Sequence, residues 1–254
     1  MLIAITRKVS DRIAQCELTH VDRQPINLSL AREQHDAYEQ CLSELGCKVQ
    51  ALPAEPDLPD SVFVEDTAIV LDELAIILRP GAETRRDEND SIARALSSYR
   101  KLFSISDPGT VDGGDVLRVD KTIYVGMSGR SNKAGAEQMR QILKPYGYEV
   151  KAVPVRGCLH LKSAVTQIAK QTLLINRKWV DSENFHADKF IDIDPSEPYA
   201  ANALWVNGSV IYPSAFPRTQ RILEEAGIKL RLVDASELAK AEGALTCCSL
   251  IFNE

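Results

Sequence analysis

Three separated stretches of this 254-residue chain carry side chains that could do covalent chemistry together. Near the end, Gly243-Ala244-Leu245-Thr246-Cys247-Cys248-Ser249-Leu250-Ile251-Phe252 places a thiol where a small-residue turn runs into a short apolar strand. Far upstream lie Val111-Asp112-Gly113-Gly114-Asp115 and Cys158-Leu159-His160-Leu161-Lys162. Cys247, His160 and Asp112 supply a nucleophile, a base and an orienter. The thiolate is the reactive form, and a paired imidazole raises its population. Cys247 and Cys248 point to opposite sides of an extended segment, so one of them at most faces a given pocket. Alone, a buried Cys or His is commonly a core residue, and Asp beside a Gly pair is ordinary turn chemistry. Only the three together point to covalent chemistry.

Further polar groups stand out against their surroundings. Glu65 and Asp66 interrupt an apolar run from Val62 to Leu71. Two carboxylates there are expensive to bury without cations, which points to a site that binds a cation. Arg85-Arg86 and Arg130 precede helical patterns in successive parts of the chain, and two Arg from different units can clamp a carboxylate. Cys247, His160 and Asp112 offer atoms that zinc accepts, but no further ligand is spaced to complete a dedicated metal site. His20, His35 and His186 lack ligand spacing and read as structural or surface residues.

The elements that must position these groups recur. Residues 2–7 read as a buried strand, 8–27 as a long polar loop of the kind that is functional or mobile, 28–46 as a helix, and 49–52 as a strand. Strands over 62–71 and 74–79 flank the turn Asp72-Glu73, followed by a helix over 86–99 and a strand near 102–105. The same order repeats over 115–154 and again from 203, where Asn207-Gly208 suits a type I′ hairpin turn. Segments 164–168 and 172–175 make one more hairpin. Hairpins every 40–50 residues or so indicate a repeat architecture. Four internal hairpin–helix–strand units are countable. A fifth requires the last strand, 249–252, to pair with the first, 2–6, which closes a ring and removes two edges. In such a ring Asp66, Asp112, His160 and Cys247, each at the entry to a hairpin's first strand, gather at one end of the axis and share one pocket.

Bulk properties narrow the function class. Hydrophobic residues make up 44% and charged residues 26% of the chain, as in ordinary globular proteins. A formal charge of -6 argues against nucleic acid or an anionic membrane as partner. The N-terminus is charged too soon for a signal peptide, and no apolar run spans a bilayer, so a cytoplasmic location is expected. Six Cys without a CxxC pair read as free thiols. The expected partner is a small molecule; composition admits a homodimer.

Taken in order, Pro59-Asp60-Ser61-Val62-Phe63-Val64-Glu65-Asp66, Arg79-Pro80-Gly81-Ala82-Glu83-Thr84-Arg85-Arg86, Asp112-Gly113-Gly114-Asp115, Leu159-His160-Leu161-Lys162-Ser163, Ala200-Ala201-Asn202 and Leu245-Thr246-Cys247-Cys248-Ser249 resemble the dimethylarginine dimethylaminohydrolases of the guanidino-group-modifying (pentein) superfamily, over essentially the whole chain. The resemblance implies a five-bladed pseudo-symmetric α/β propeller, with 1–254 forming one hydrolase domain. It implies Cys247 as nucleophile, His160 as general acid/base and Asp112 as the group orienting the histidine. It further implies substrate contacts from Asp60, Glu65 and Asp66, a carboxylate clamp of Arg85 and Arg130, Leu18 as a flap residue, and a backbone contact at Ala241. Cys248 stands where relatives have Met. The implied reaction is hydrolysis of Nω-methylated arginines to citrulline and a methylamine through a covalent adduct, without a cofactor. Arginine deimination or amidino transfer on the same scaffold is the nearest rival. A silent arginine-binding module is the rival from another class.

Overall fold

The computed structural model describes all of residues 1–254. The chain opens with strand β1 (Leu2–Arg7), helix α1 (Leu28–Glu44) and β2 (Cys47–Leu52). Next come β3 (Ala68–Val70), β4 (Ala75–Ile77), α2 (Asn89–Leu96) and β5 (Leu102–Ser104), then β6 (Val116–Val119), β7 (Thr122–Met127), α3 (Lys133–Leu143) and β8 (Glu149–Pro154). The third repeat has a single helical turn, α4 (Leu161–Ala164), before β9 (Val165–Ala169), β10 (Thr172–Ile175) and β11 (Lys189–Asp192). The fourth contains β12 (Leu204–Val206), β13 (Ser209–Pro213), α5 (Pro217–Glu225) and β14 (Leu230–Val233). The short helix α6 (Ser236–Ala239) leads into the final strand β15 (Leu250–Asn253).

These strands form five three-stranded sheets, each an antiparallel pair with a parallel third strand. The fifth is assembled from both ends of the chain: Leu2 stands opposite Asn253 and Ile5 opposite Leu250, while β1 runs parallel to β2. The result is a five-bladed pseudo-symmetric α/β propeller, closed as the sequence pattern requires. Hairpin corners use left-handed residues: Asp120 (φ 51°), Gln171 (φ 50°) and Asn207 (φ 47°), the last followed by Gly208 at φ 78°. Paired positive φ values are what a type I′ turn needs. The two longest helices, α1 and α3, begin on Asn caps. Asn27 Oδ1 accepts from the Leu30 amide, and Asn132 Oδ1 from the Gly135 amide at 2.8 Å.

The structure departs from the sequence reading in three places. The run 62–71 is a strand only over Ala68–Val70; Val64–Thr67 is a 3-10 turn that swings Glu65 and Asp66 out of the strand. The helix expected over 86–99 begins as a 3-10 segment, Glu83–Glu88, and α2 ends at Leu96. The third unit has no helix between β10 and β11, only a 3-10 turn over Ser182–Asn184.

A turn precedes the first strand of every blade: Val64–Thr67, Gly113–Asp115, α4, the bend at 198–201 and Thr246–Cys248. Those of the first, second and fifth hairpins touch one another at one end of the ring, and α4 joins them through Gly113–Asp115. The approach is close enough to demand glycine. A Cβ on Gly113 would stand 1.8 Å from the Glu65 carbonyl oxygen, and one on Gly114 2.5 Å from His160 Nδ1. The Asp-Gly-Gly-Asp motif is thus a packing requirement as well as a turn signal. From the outside, Tyr38 on α1 reaches in to share a 2.7 Å hydrogen bond with Ser249 Oγ, pinning the segment that follows the cysteines.

Candidate active site

His160 caps α4 with an extended backbone, and its imidazole Nε2 lies 3.0 Å from Asp112 Oδ2. Asp112 is held in turn: its Oδ1 accepts the Gly81 amide at 2.8 Å, and its own amide donates to Ser131 Oγ. Beneath them Asp115 accepts the Leu161 amide and the hydroxyls of Ser128 and Ser131, so one carboxylate braces both the histidine's turn and Asp112's support. Burial pushes Asp115 up to about 6, against the pull of His160 and the two hydroxyls. For His160 burial alone would lower the pKa, but Asp66, the Asp112 hydrogen bond and Asp115 outweigh it and raise it to about 9. The imidazole is therefore a cation at neutral pH.

Asp66 accepts the Gly114 amide on Oδ1 and Arg85 Nη1 on Oδ2, at 2.9 and 2.7 Å. Burial would raise its pKa; His160 and Arg85 overcome this and hold it at about 2. Cys247 sits in the 3-10 turn Thr246–Cys248, its amide bound to the Ala244 carbonyl. Burial raises its thiol pKa strongly, and Glu65 and Asp66 raise it further. Cys247 and His160 line the same cavity but share no hydrogen bond, so the expected imidazole-paired thiolate is not the resting state. The imidazolium spends its charge on Asp112 and Asp66 instead. Cys248 is fully buried, contacts the Ala244 carbonyl at 3.5 Å and does not line the cavity.

The cavity measures about 20 Å³. Cys247, His160, Asp66, Asp60, Arg85, Arg130 and Ala241 line it, with Glu17, Phe63, Leu159, Glu242 and Gly243. Four carboxylates against two guanidiniums and the His160 imidazolium leave it with a slight excess of negative charge. Arg85 is buried and heavily committed: Nε and Nη2 grip the Glu88 carboxylate, Nη1 holds Asp66, and Nη2 also faces the Phe63 carbonyl. Burial pushes Glu88 up to about 7 despite Arg85. Burial also raises Asp60, against Arg85 and the Glu17 amide. Arg130 is freer, with Nη2 on Thr19 Oγ1 and Nη1 4.0 Å from Asp112. The Ala241 amide is spent on Leu238, so a backbone contact there would come from its carbonyl.

A lid closes the cavity. The Glu17 amide donates to Asp60, and the amides of Thr19 and His20 donate to the two oxygens of Glu242 at 2.6 and 2.8 Å. Thr84 Oγ1 binds Glu17. Leu18 lies half-buried against the apolar cluster that contains Phe63, Ala241 and Cys247; its neighbour Glu17, not Leu18, faces the cavity. Glu65 is turned to the opposite side, where it accepts from Lys162 and, at 2.9 Å, from Thr246 Oγ1. Glu17, Glu242, Asp115, Lys162 and Thr246 also belong to the site or its support, beyond the residues that the sequence pattern singles out. Only the second Asp of Asp-Gly-Gly-Asp carried a local signal; the others depend on chain crossings.

Two groups of side chains bring metal-ligating atoms together. Asp66, Asp112 and His160 do so at the wall of the cavity, with Asp112 buried behind the histidine and without Cys247, and hydrogen bonds already engage each of them. His35 lies buried beside Asp36 and Glu39 on α1, a spacing passed over in the sequence, with the Lys8 ammonium bonded to both carboxylates.

A five-bladed ring that gathers a thiol, an imidazole–carboxylate pair and two guanidiniums at one end of its axis defines a guanidino-group-modifying enzyme of the pentein class. The chain belongs to the dimethylarginine dimethylaminohydrolase family. The family model described as N,N dimethylarginine dimethylhydrolase, eukaryotic, matches residues 10–189. The N(G),N(G)-dimethylarginine dimethylaminohydrolase of Streptomyces coelicolor is 38% identical over 99% of this chain and 97% of its own. The Pseudomonas aeruginosa protein of that name is also 38% identical, over 87% and 88%. A solved structure of the Pseudomonas protein, a cysteine-to-serine mutant complexed with citrulline, superposes with a TM-score of 0.93 over 98% of both chains at 35% identity. No helix is long and apolar enough to cross a membrane.

Proposed function

We propose that the chain hydrolyses Nω-methylated arginines to citrulline and methylamine or dimethylamine. The observation that carries this is the convergence of Cys247, the His160–Asp112 pair and Asp66 in one enclosed, carboxylate-rich cavity. Asp66, ionised at any physiological pH, receives the cationic guanidinium by charge-assisted hydrogen bonds. That cation offsets the carboxylates that hold the thiol protonated, so substrate binding favours loss of the thiol proton to solvent and formation of the thiolate. The sulfur attacks the guanidinium carbon, and His160, already protonated, delivers its proton to the departing amine nitrogen. The neutral imidazole then takes a proton from water as its oxygen adds to the carbon, and the C–S bond breaks with its electron pair on sulfur, which takes up the hydroxyl proton to restore the Cys247 thiol. Asp112 keeps the ring oriented through both transfers.

Arg130, whose guanidinium is only lightly bonded, and the remaining N–H of Arg85 take the amino-acid carboxylate. Asp60, Glu17 and the Ala241 carbonyl face the ammonium end. Glu65 acts from behind the cavity, and Leu18 seats the lid. No step calls for a cofactor. All six thiols are free, which suits a single domain working in the reducing cytoplasm.

Citrulline formation from a panel of dimethylarginine, monomethylarginine, arginine and agmatine tests the reading. Methylated arginines should be turned over well ahead of the others. Arginine turned over best would make this an arginine hydrolase, and calorimetric binding without product would make it a binding module.

A further inference from the structure

The face of the ring opposite the lid holds a second cavity of about 370 Å³. Its walls come from the first strand of each hairpin, β3, β6, β9, β12 and β15, and its inner end is formed by Glu65, Lys162, Thr246 and Gly113. These four are the reverse side of the catalytic turns: Glu65 adjoins Asp66, Gly113 adjoins Asp112, and Thr246 adjoins Cys247. At that inner end stands one ion pair. Lys162 Nζ binds the Glu65 carboxylate and, at 3.2 Å, the Gly113 carbonyl, while Thr246 Oγ1 holds the other Glu65 oxygen at 2.9 Å.

We propose that this rear cavity is the exit for the amine product, with Glu65–Lys162 as its gate. The proposal rests on the hydrolysis reading above. When the C–N bond breaks, its electron pair goes to nitrogen, which takes the His160 proton and leaves as a free amine. The rest of the substrate is then still bonded to Cys247 Sγ and lies between the amine and the lid. The lid side is pinned by Glu242 and Asp60, and the 20 Å³ cavity leaves no room for a dialkylamine to pass. Toward the rear the Lys162 side chain, held by Glu65 and the Gly113 carbonyl, closes the inner end of the second cavity together with Thr246. A secondary amine takes a second proton from water and becomes an ammonium, the same kind of charge as Lys162. Glu65 can therefore exchange one ammonium for the other without being left buried and unpaired. Beyond the gate, Thr166, Gln167 and Ser249 offer a polar wall that opens to solvent.

Gln167→Trp narrows the rear cavity from a side chain that does not reach the catalytic cavity; Leu204→Phe is a milder version should the first disturb folding, judged by circular dichroism. In the full-length protein, rapid-quench formation of the Cys247 adduct should proceed at the wild-type rate. The kcat should fall at least fivefold with dimethylarginine and less with monomethylarginine, whose leaving amine is smaller, with KM not increased. A folded variant with the wild-type kcat for both substrates overturns the exit, as does an equal loss on both with a raised KM. Wild-type protein that makes no citrulline from either substrate would instead sink the hydrolysis reading.

Discussion

The imidazole of His160 meets Asp112 through one 3.0 Å contact, Nε2 to Oδ2, and both groups are buried. Its folded pKa of about 9 stands above the ordinary histidine value near 6.5. Held by Asp66, Asp112 and Asp115 together, the imidazolium therefore stabilises the fold fully below about pH 6.5, and that contribution fades as pH rises through 9, by about 3 kcal/mol in total. Urea unfolding at pH 6 and pH 9.5 should show that loss in the wild type and a flatter dependence in His160→Asn. Turnover should fall on the alkaline side as the acid is lost. Asp112→Asn should move that limb to lower pH; an unmoved limb would mean another group controls it.

The two cysteines should separate cleanly. Cys247→Ser should lose at least about a thousandfold in kcat while still binding substrate, because a hydroxyl lacks the thiolate's nucleophilicity. Cys248→Ser should keep most of its turnover and cost about 1–2 kcal/mol of stability, the scale for a hydroxyl in an apolar site. In the free enzyme the high thiol pKa makes alkylation of Cys247 slow at pH 7 and faster above pH 9. Fast alkylation at pH 7 without ligand would contradict this.

Arg85 and Arg130 should behave differently. Arg85→Ala strands Asp66 and Glu88 without their cation, so a stability loss of about 3–5 kcal/mol is expected, visible in thermal unfolding. Arg130→Ala should leave stability nearly unchanged and raise KM for amino-acid substrates by about 1.5–3 kcal/mol. Agmatine, without a carboxylate, should be less affected. Equal effects on both substrates would exclude a clamp.

Glu242 anchors the lid amides of Thr19 and His20. Glu242→Gln should leave the melting temperature almost unchanged while amide exchange at residues 17–20 speeds up and KM rises. Unchanged exchange would show that the lid is held elsewhere.

Ring closure gives the last expectation. Deleting Leu250–Glu254 removes the partner of β1 and the strand that begins three residues after Cys247. Stability and activity should be lost together. A truncated chain that melts and turns over as the full one would show that closure does not position the thiol.

Much of this was legible in the chain itself. Hairpins announce themselves locally, Asn207-Gly208 most clearly, because turn chemistry is decided by neighbouring residues. Their recurrence, with an unpaired strand at each end, leads to a closed ring. Cys247, His160 and Asp112 follow as a set, since each stands where a hairpin begins. The tertiary structure alone decided what each group faces and what charge it carries. Glu65 and Asp66 are adjacent, yet one turns to Lys162 behind the cavity and the other to Arg85 within it. The imidazole is charged because Asp66, Asp112 and Asp115, from two turns far apart in the chain, surround it, and the thiol is neutral because it is buried beside Glu65 and Asp66. Glu242 holds a lid some 220 positions away in the chain. Burial and Coulomb energy depend on distances in space, and sequence neighbours do not encode them.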